Sequence, residues 1–293
     1  MFRYTPLWQF PWLLRLRRRV AVGRIGLLCA LFLGVVGVTQ GMAVEREEIK
    51  IADAAGTPDA LTLYRISPST GDGPFPVVLL FHGGAWRKGS PSQFFYYATQ
   101  MAEAGFTVYS AQYRLVGKET EQVEDCVADA EAALRWICDH AQEQKVDVNN
   151  FFIGGGSAGG QLALYLFMTN TGEPNRFRGF IGYNPVVDVD HSRFAKLFEA
   201  SNGKYNPMTL VDHPLPPMLF FHGTNDDIVP IAEVYEMKST AEAYGTHVEV
   251  VVFDGAGHSF FNTGKATDET KARLNEKVIA FLSANLAPSG GHD

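Results

Sequence analysis

One serine in this sequence stands where a nucleophile would. Ser157 lies in Gly154-Gly155-Gly156-Ser157-Ala158-Gly159-Gly160, after the apolar Phe151-Phe152-Ile153 and before the helix-like Leu162, Ala163, Leu164, Leu166 and Phe167. A serine hydroxyl attacks poorly unless a base reaches it, so the chain has to lift it clear on a tight turn between strand and helix. Gly155 and Gly159, two residues to either side, lack the Cβ atoms that such a turn excludes. A base is available in Asp254-Gly255-Ala256-Gly257-His258, where a glycine loop presents an imidazole just past an apolar run that ends at Phe253. Asp226 and Asp227, five and six residues past Phe221, put a carboxylate within reach of orienting that imidazole. His82-Gly83-Gly84-Ala85-Trp86 follows another apolar run and can bring backbone N–H groups close to a ligand. The N–H groups of Gly83 and Gly84, with that of Ala158 beside the serine, are the expected donors to the oxyanion of a tetrahedral intermediate. Together these residue types would transfer an acyl group to and from a serine.

Other readings of the same residues are weaker on chemical grounds. A glycine loop can be a plain turn or can cradle phosphate, but this one lacks the Gly-Lys-Ser/Thr of a nucleotide loop. His82, His222 and His258 with an acid could hold zinc, yet no His-x-x-x-His or closed ligand set is present, so neither a metal nor a cofactor is expected.

The elements that must position these groups are legible as alternation. Near-continuous apolar runs at 77–81, 106–110, 151–153, 180–183, 218–221 and 248–253 read as strands buried on both faces. Helical stretches at 92–104, 120–143, 158–168, 231–244 and 270–286 fall between them. This pattern predicts an α/β fold with a mostly parallel central sheet, helices on both faces and functional loops at the carboxyl ends of the strands. Residues 44–52 and 61–66, separated by Gly56-Thr57-Pro58, predict an antiparallel hairpin at a sheet edge. Residues 187–217 break the alternation and read as a small lid or cap at the pocket mouth, or as an irregular crossover.

Residues 1–43 differ from the rest: they hold six arginines and no acid, then an apolar run at 25–38 and the small residues Gly41-Met42-Ala43. That is a signal-peptide pattern with cleavage expected near Ala43, and the 14-residue run is short of the roughly 20 needed to span a bilayer. The expected domain is 44–288, followed by a flexible tail at 289–293, and the mature chain is expected to be exported, without a membrane span. Removing six of the 25 basic residues and none of the 32 acids would take the net charge from −7 to −13. Such a surface repels nucleic acid and anionic lipid, so neither is an expected partner. Cys126 and Cys138 sit twelve apart in one predicted helix, roughly 18 Å along its axis, and are expected to be reduced and largely buried.

The order serine, acid, histidine is that of α/β-hydrolases. The chain from about 76 to 286 resembles the esterase and lipase branch of that superfamily, and is similar to hormone-sensitive-lipase-like carboxylesterases and bacterial acetylxylan and feruloyl esterases. The resemblance is carried by His82-Gly83-Gly84-Ala85-Trp86, Tyr113-Arg114-Leu115, Asp129-Ala130 through Arg135-Trp136, the loop around Ser157, His222-Gly223-Thr224 through Asp226, Val229-Pro230, and Gly257-His258. It implies that Asp226 is the acid, leaving Asp227 to cap the following helix. It further implies hydrolysis of carboxylic esters, of short acyl groups on a sugar or polyol, with no cofactor. A peptidase, an arylformamidase-like amide hydrolase or a non-catalytic binding protein of the same fold are the alternatives. Two positions depart from the family pattern: Ala85 replaces a common third glycine, and Gly156 replaces a common acid.

Overall fold

The computed structural model describes residues 42–170 and 177–287. The leader expected at 1–43 and the tail expected at 289–293 lie almost wholly outside the described residues. Among the described residues no helix is long and apolar enough to cross a membrane.

The apolar runs form an eight-stranded sheet. Its strands are β1 (Val44–Ile51), β2 (Leu61–Pro68), β3 (Phe75–Phe81), β4 (Thr107–Ala111), β5 (Val146–Gly156), β6 (Phe177–Tyr183), β7 (Met218–Gly223) and β8 (Val248–Phe253), in the order β1-β2-β4-β3-β5-β6-β7-β8. The hairpin β1–β2 forms an antiparallel edge, and β2 also pairs antiparallel with β4. Every pairing from β4 through β8 is parallel. Parallel strands need long crossovers, and these carry the helices α1 (Phe95–Glu103), α2 (Val123–Asp139), α3 (Ser157–Thr169) and α5 (Ile231–Ala243), with a one-turn α4 (Ala195–Phe198), while α6 (Asp268–Ala284) follows β8.

Because successive strand residues point to opposite faces, β3 feeds two cores. Val77, Leu79 and Phe81 pack with residues of α2, α3 and α5, whereas Val78 and Leu80 pack with Tyr97, Ala98 and Met101 of α1 and Leu274, Val278 and Phe281 of α6. Helix α3 is buried from Ser157 through Met168, so the serine at its first position stands on the most enclosed helix among the described residues. Cys126 is buried on α2, where its thiol donates to the Arg114 carbonyl at 3.1 Å, and Cys138 is half-buried on the same helix.

The segment at 187–217 is one of irregular turns around a buried asparagine. Asn206 Nδ2 donates to Asp188 Oδ1 and Asp190 Oδ2, both at 2.9 Å, while its Oδ1 accepts from the Val189 N–H at 3.2 Å. Phe194 and Phe198 pack edge-on against Trp86, with ring centroids 5.2 and 4.9 Å away. Gln161 of α3 ties the same layers, accepting from Trp86 Nε1 at 3.1 Å and donating to the Tyr205 carbonyl at 2.8 Å.

Candidate active site

The carboxyl ends of β3, β5, β7 and β8 bring the expected site residues to one edge of the sheet. Ser157 turns at φ +49°, a left-handed conformation that strains a side chain, at the junction of β5 and α3. The turn closes only because its flanks have no side chains. A Cβ on Gly155 would lie 2.5 Å from the Gly159 carbonyl oxygen, and one on Gly159 would lie 2.2 Å from that of Phe81. Gly156 answers a different constraint. A Cβ there would stand 2.6 Å from Cζ of Phe261, a fully buried ring packed on Phe94 and Tyr183, so the acid of related sequences has no room here.

His258 Nε2 lies 2.9 Å from Ser157 Oγ, and its Nδ1 lies 2.8 and 3.0 Å from the two oxygens of Asp226. A carboxylate accepts only, so Nδ1 carries the proton and Nε2 is left to accept from the serine hydroxyl. Asp226 is buried, which alone would raise its pKa. The hydrogen bond from His258 and those from the Val229 and Ile228 N–H groups, at 2.9 and 3.0 Å, outweigh that cost and hold its carboxyl below the ordinary value. Asp227 is exposed and does not cap α5 as expected; that helix starts from Pro230 with no side-chain cap.

Two further strand-end histidines lie buried beside the site. His82 is buried, stacked on Tyr113 with ring centroids 4.4 Å apart, and desolvation depresses its pKa to about 4. His222 is also buried; desolvation lowers its pKa, and its Nε2 lies 2.8 Å from the Val229 carbonyl oxygen. Among the described residues no group of three or more His, Cys, Asp and Glu could hold a metal ion. A nearby carboxyl, Glu233, is pushed up to about 7 by burial and by the charges of Asp188, Asp226 and Glu236.

The expected oxyanion donors need one correction. The Gly83 N–H donates to Gln93 Oε1 at 2.7 Å and is therefore committed within the protein. A peptide carries one N–H, so Gly83 shapes the loop and does not face a ligand. Gly84 and Ala85 remain. Both line the cleft that holds Ser157 and His258, with φ angles of +133° and +54°. Ala158 lies in the first turn of α3, where N–H groups find no carbonyl within the helix.

Two supports, Gln93 and Asn184, went unflagged in the sequence, and a third lies in the segments that carry the family resemblance. Gln93 bridges two loops, since its Nε2 also donates to Asn262 Oδ1 at 2.9 Å just past His258. Asn184 accepts the Ser259 N–H at 3.0 Å, and its position directly after β6 is the strand-end signal that singled out the three histidines. Arg114 grips the buried Asp129 with two 2.8 Å bonds, fixing the loop whose Tyr113 hydroxyl donates to the His82 carbonyl at 2.8 Å.

The cleft above Ser157 encloses about 370 Å³ between Phe194 and Ile228, with Lys88 and Arg193 on its walls. A serine with an aligned imidazole and carboxylate in a cleft with partly apolar walls can carry out acyl transfer.

Comparison with known proteins gives the following. Residues 63–191 match the family model BD-FAE. The isoprenylcysteine alpha-carbonyl methylesterase ICME of Arabidopsis thaliana is 27% identical over 249 residues, covering 74% of this chain and 58% of that protein. The uncharacterized peptidase YuxL of Bacillus subtilis is 24% identical over 264 residues, covering 78% of this chain and 37% of that protein. The chain spans about half the length of the curated relatives it matches. Among solved structures, Thermogutta terrifontis esterase 2 phosphonylated by sarin is 30% identical with a TM-score of 0.74, covering 83% of this chain and 96% of that one. The propionate-bound form of the same esterase superposes with a TM-score of 0.73.

Proposed function

The chain belongs to the esterase and lipase family of α/β-hydrolases, and on that premise we propose that it hydrolyses carboxylic esters through an acyl-enzyme. The observation that carries this reading is the unbroken hydrogen-bonded line from Ser157 Oγ through His258 to Asp226. In the first half-reaction Ser157 Oγ attacks the carbonyl carbon while its proton passes to His258 Nε2. Asp226 holds the imidazole in orientation and stabilises the positive charge it acquires. The Ala158 N–H, with those of Gly84 and Ala85, receives the oxyanion. Collapse breaks the carbon–oxygen bond to the alcohol, which leaves with the proton from His258. Water then repeats the sequence on the acyl-enzyme, releasing the acid and restoring the serine.

The cleft is small, which supports a short acyl group. Residues 44–288 are the proposed catalytic domain, the arginine-rich and apolar stretch at 1–43 a leader for export, and a sugar or polyol the proposed carrier of the acyl group. Similarity to an uncharacterized peptidase keeps amide hydrolysis by the same residues as a second reading.

The test is a series of p-nitrophenyl esters from acetate to palmitate, run beside acetylated xylan and amino-acid anilides. Turnover of the shorter esters, lost in Ser157→Ala, and a fluorophosphonate label on Ser157 are expected. Turnover of anilides without esters, or a label on another serine, would overturn the proposal.

A further inference from the structure

The chain carries a net charge of −7, yet the space around Ser157 is lined with cations. Lys88 and Arg193 are the cationic residues on the cleft wall, and no acid joins them there. The cleft continues into an outer groove of about 560 Å³ that shares Ala85, Arg193 and Phe194 with it and adds Arg87, Lys196 and the single acid Glu121. Among the described residues none of these four cations has a side-chain hydrogen bond or an ion pair, so none is used to hold the fold.

Their backbones are nonetheless anchored. The Lys88 N–H donates to the Gly84 carbonyl at 3.1 Å, which ties it to the loop of the proposed oxyanion donors. Arg193 precedes Phe194, whose N–H donates to Ser192 Oγ at 3.1 Å and whose ring packs on Trp86. Two separate loops thus deliver positive charge to one space, and Arg193 stands where the inner cleft meets the outer groove.

A neutral substrate gives four unpaired cations no task. An anion would be repelled by the molecule as a whole and attracted here, because a cleft with low-dielectric walls focuses the field of its lining charges. A guanidinium also fits a carboxylate with two parallel N–H···O bonds, which an ammonium or a neutral donor does not match.

From this we propose that the preferred substrates are esters whose alcohol portion bears a carboxylate, such as acyl esters of an acidic saccharide, with Arg193 and Lys88 binding that carboxylate. The inference rests on the ester-hydrolase reading and narrows its substrate class.

The probe is a matched pair, 4-acetoxybenzoate and 4-acetoxybenzamide, which present the same acetyl ester and differ in charge on the alcohol side. Acetate release is followed for the wild type and for the double variant Arg193→Gln/Lys88→Gln. Comparing the ratio of kcat/KM values between proteins cancels the intrinsic reactivity of the two esters. The acid-to-amide ratio is expected to be about tenfold higher in the wild type, the size of one charge-assisted contact, and to reside in KM. Salt at about 0.5 M should bring the two proteins together by screening. Cleavage of both esters with the same ratio in both proteins would overturn the inference and leave the esterase reading standing. Acetate release from neither ester would overturn the esterase reading, and the inference with it.

Discussion

Replacing Asp226 with asparagine should disable the enzyme by reversing one proton, and the structure bounds the size of the loss. Asp226 Oδ1 accepts two backbone N–H groups, from Ile228 at 3.0 Å and Val229 at 2.9 Å. An asparagine there has to keep its carbonyl oxygen on those donors, which turns its NH₂ toward His258 Nδ1. Nδ1 must then accept, so the imidazole proton moves to Nε2 and faces Ser157, where no lone pair remains to take the hydroxyl proton. The wrong tautomer of a triad histidine lowers kcat by about 10⁴-fold, equivalent to about 5.4 kcal/mol. Escape requires the amide to flip and leave two N–H groups facing a donor, at about 1–3 kcal/mol each. Even the low end of that cost leaves only about 3% of molecules in the working tautomer. The expected loss in kcat therefore lies between about 30-fold and 10⁴-fold on p-nitrophenyl acetate, with the melting temperature little changed. Asp227→Asn, at an exposed position, should differ from wild type by less than twofold. A kcat for Asp226→Asn within tenfold of wild type would refute the tautomer argument.

The acid limb of stability should report His82. Its pKa is about 4 in the fold against 6.5 unfolded, so below pH 6.5 the unfolded chain binds a proton that the folded one does not, and stability falls with pH until about 4, by about 3 kcal/mol in all. Denaturant titrations at pH 7 and 5 should show that slope and show it reduced in His82→Gln; equal slopes would contradict it. Gly156→Asp should lower the melting temperature through overpacking against Phe261, at about 1–3 kcal/mol, and Phe261→Leu should restore part of the loss in the double variant; a neutral Gly156→Asp would show that the ring yields. Gln93→Leu strands the buried Gly83 N–H, at about 1–3 kcal/mol, and frees Asn262 beside the histidine loop, so kcat should fall more than KM rises. Unchanged kcat would make Gln93 a purely structural residue.

The fold and the centre of the site were legible for a local reason. Buried parallel strands are continuous apolar runs, and their carboxyl ends are marked by the polar or glycine residue that follows. Ser157, His258 and the pair Asp226-Asp227 stand out there, the choice of Asp226 coming from the family resemblance, and Gly155 and Gly159 mark the turn because only a missing Cβ lets the Phe81 and Gly159 carbonyls approach. The helix spans were legible to within a few residues, as α2 at Val123–Asp139 against the expected 120–143 illustrates.

The tertiary structure decided everything that depends on which distant group reaches first. Gly83 and Gly84 look alike along the chain, but the amide of Gln93, ten residues on, captures the N–H of Gly83 and leaves Gly84 and Ala85 to the cleft. Gly156 departs from the family pattern because a phenylalanine 105 residues later fills the space above it. The cations of the cleft are unremarkable in sequence, since Lys88 and Arg193 come from loops after different strands and meet only when Phe194 docks on Trp86. Composition and periodicity set where each element lies and which face it buries. Occupancy of a single donor, room for a single atom and the convergence of charge are properties of three-dimensional proximity, which no local pattern encodes.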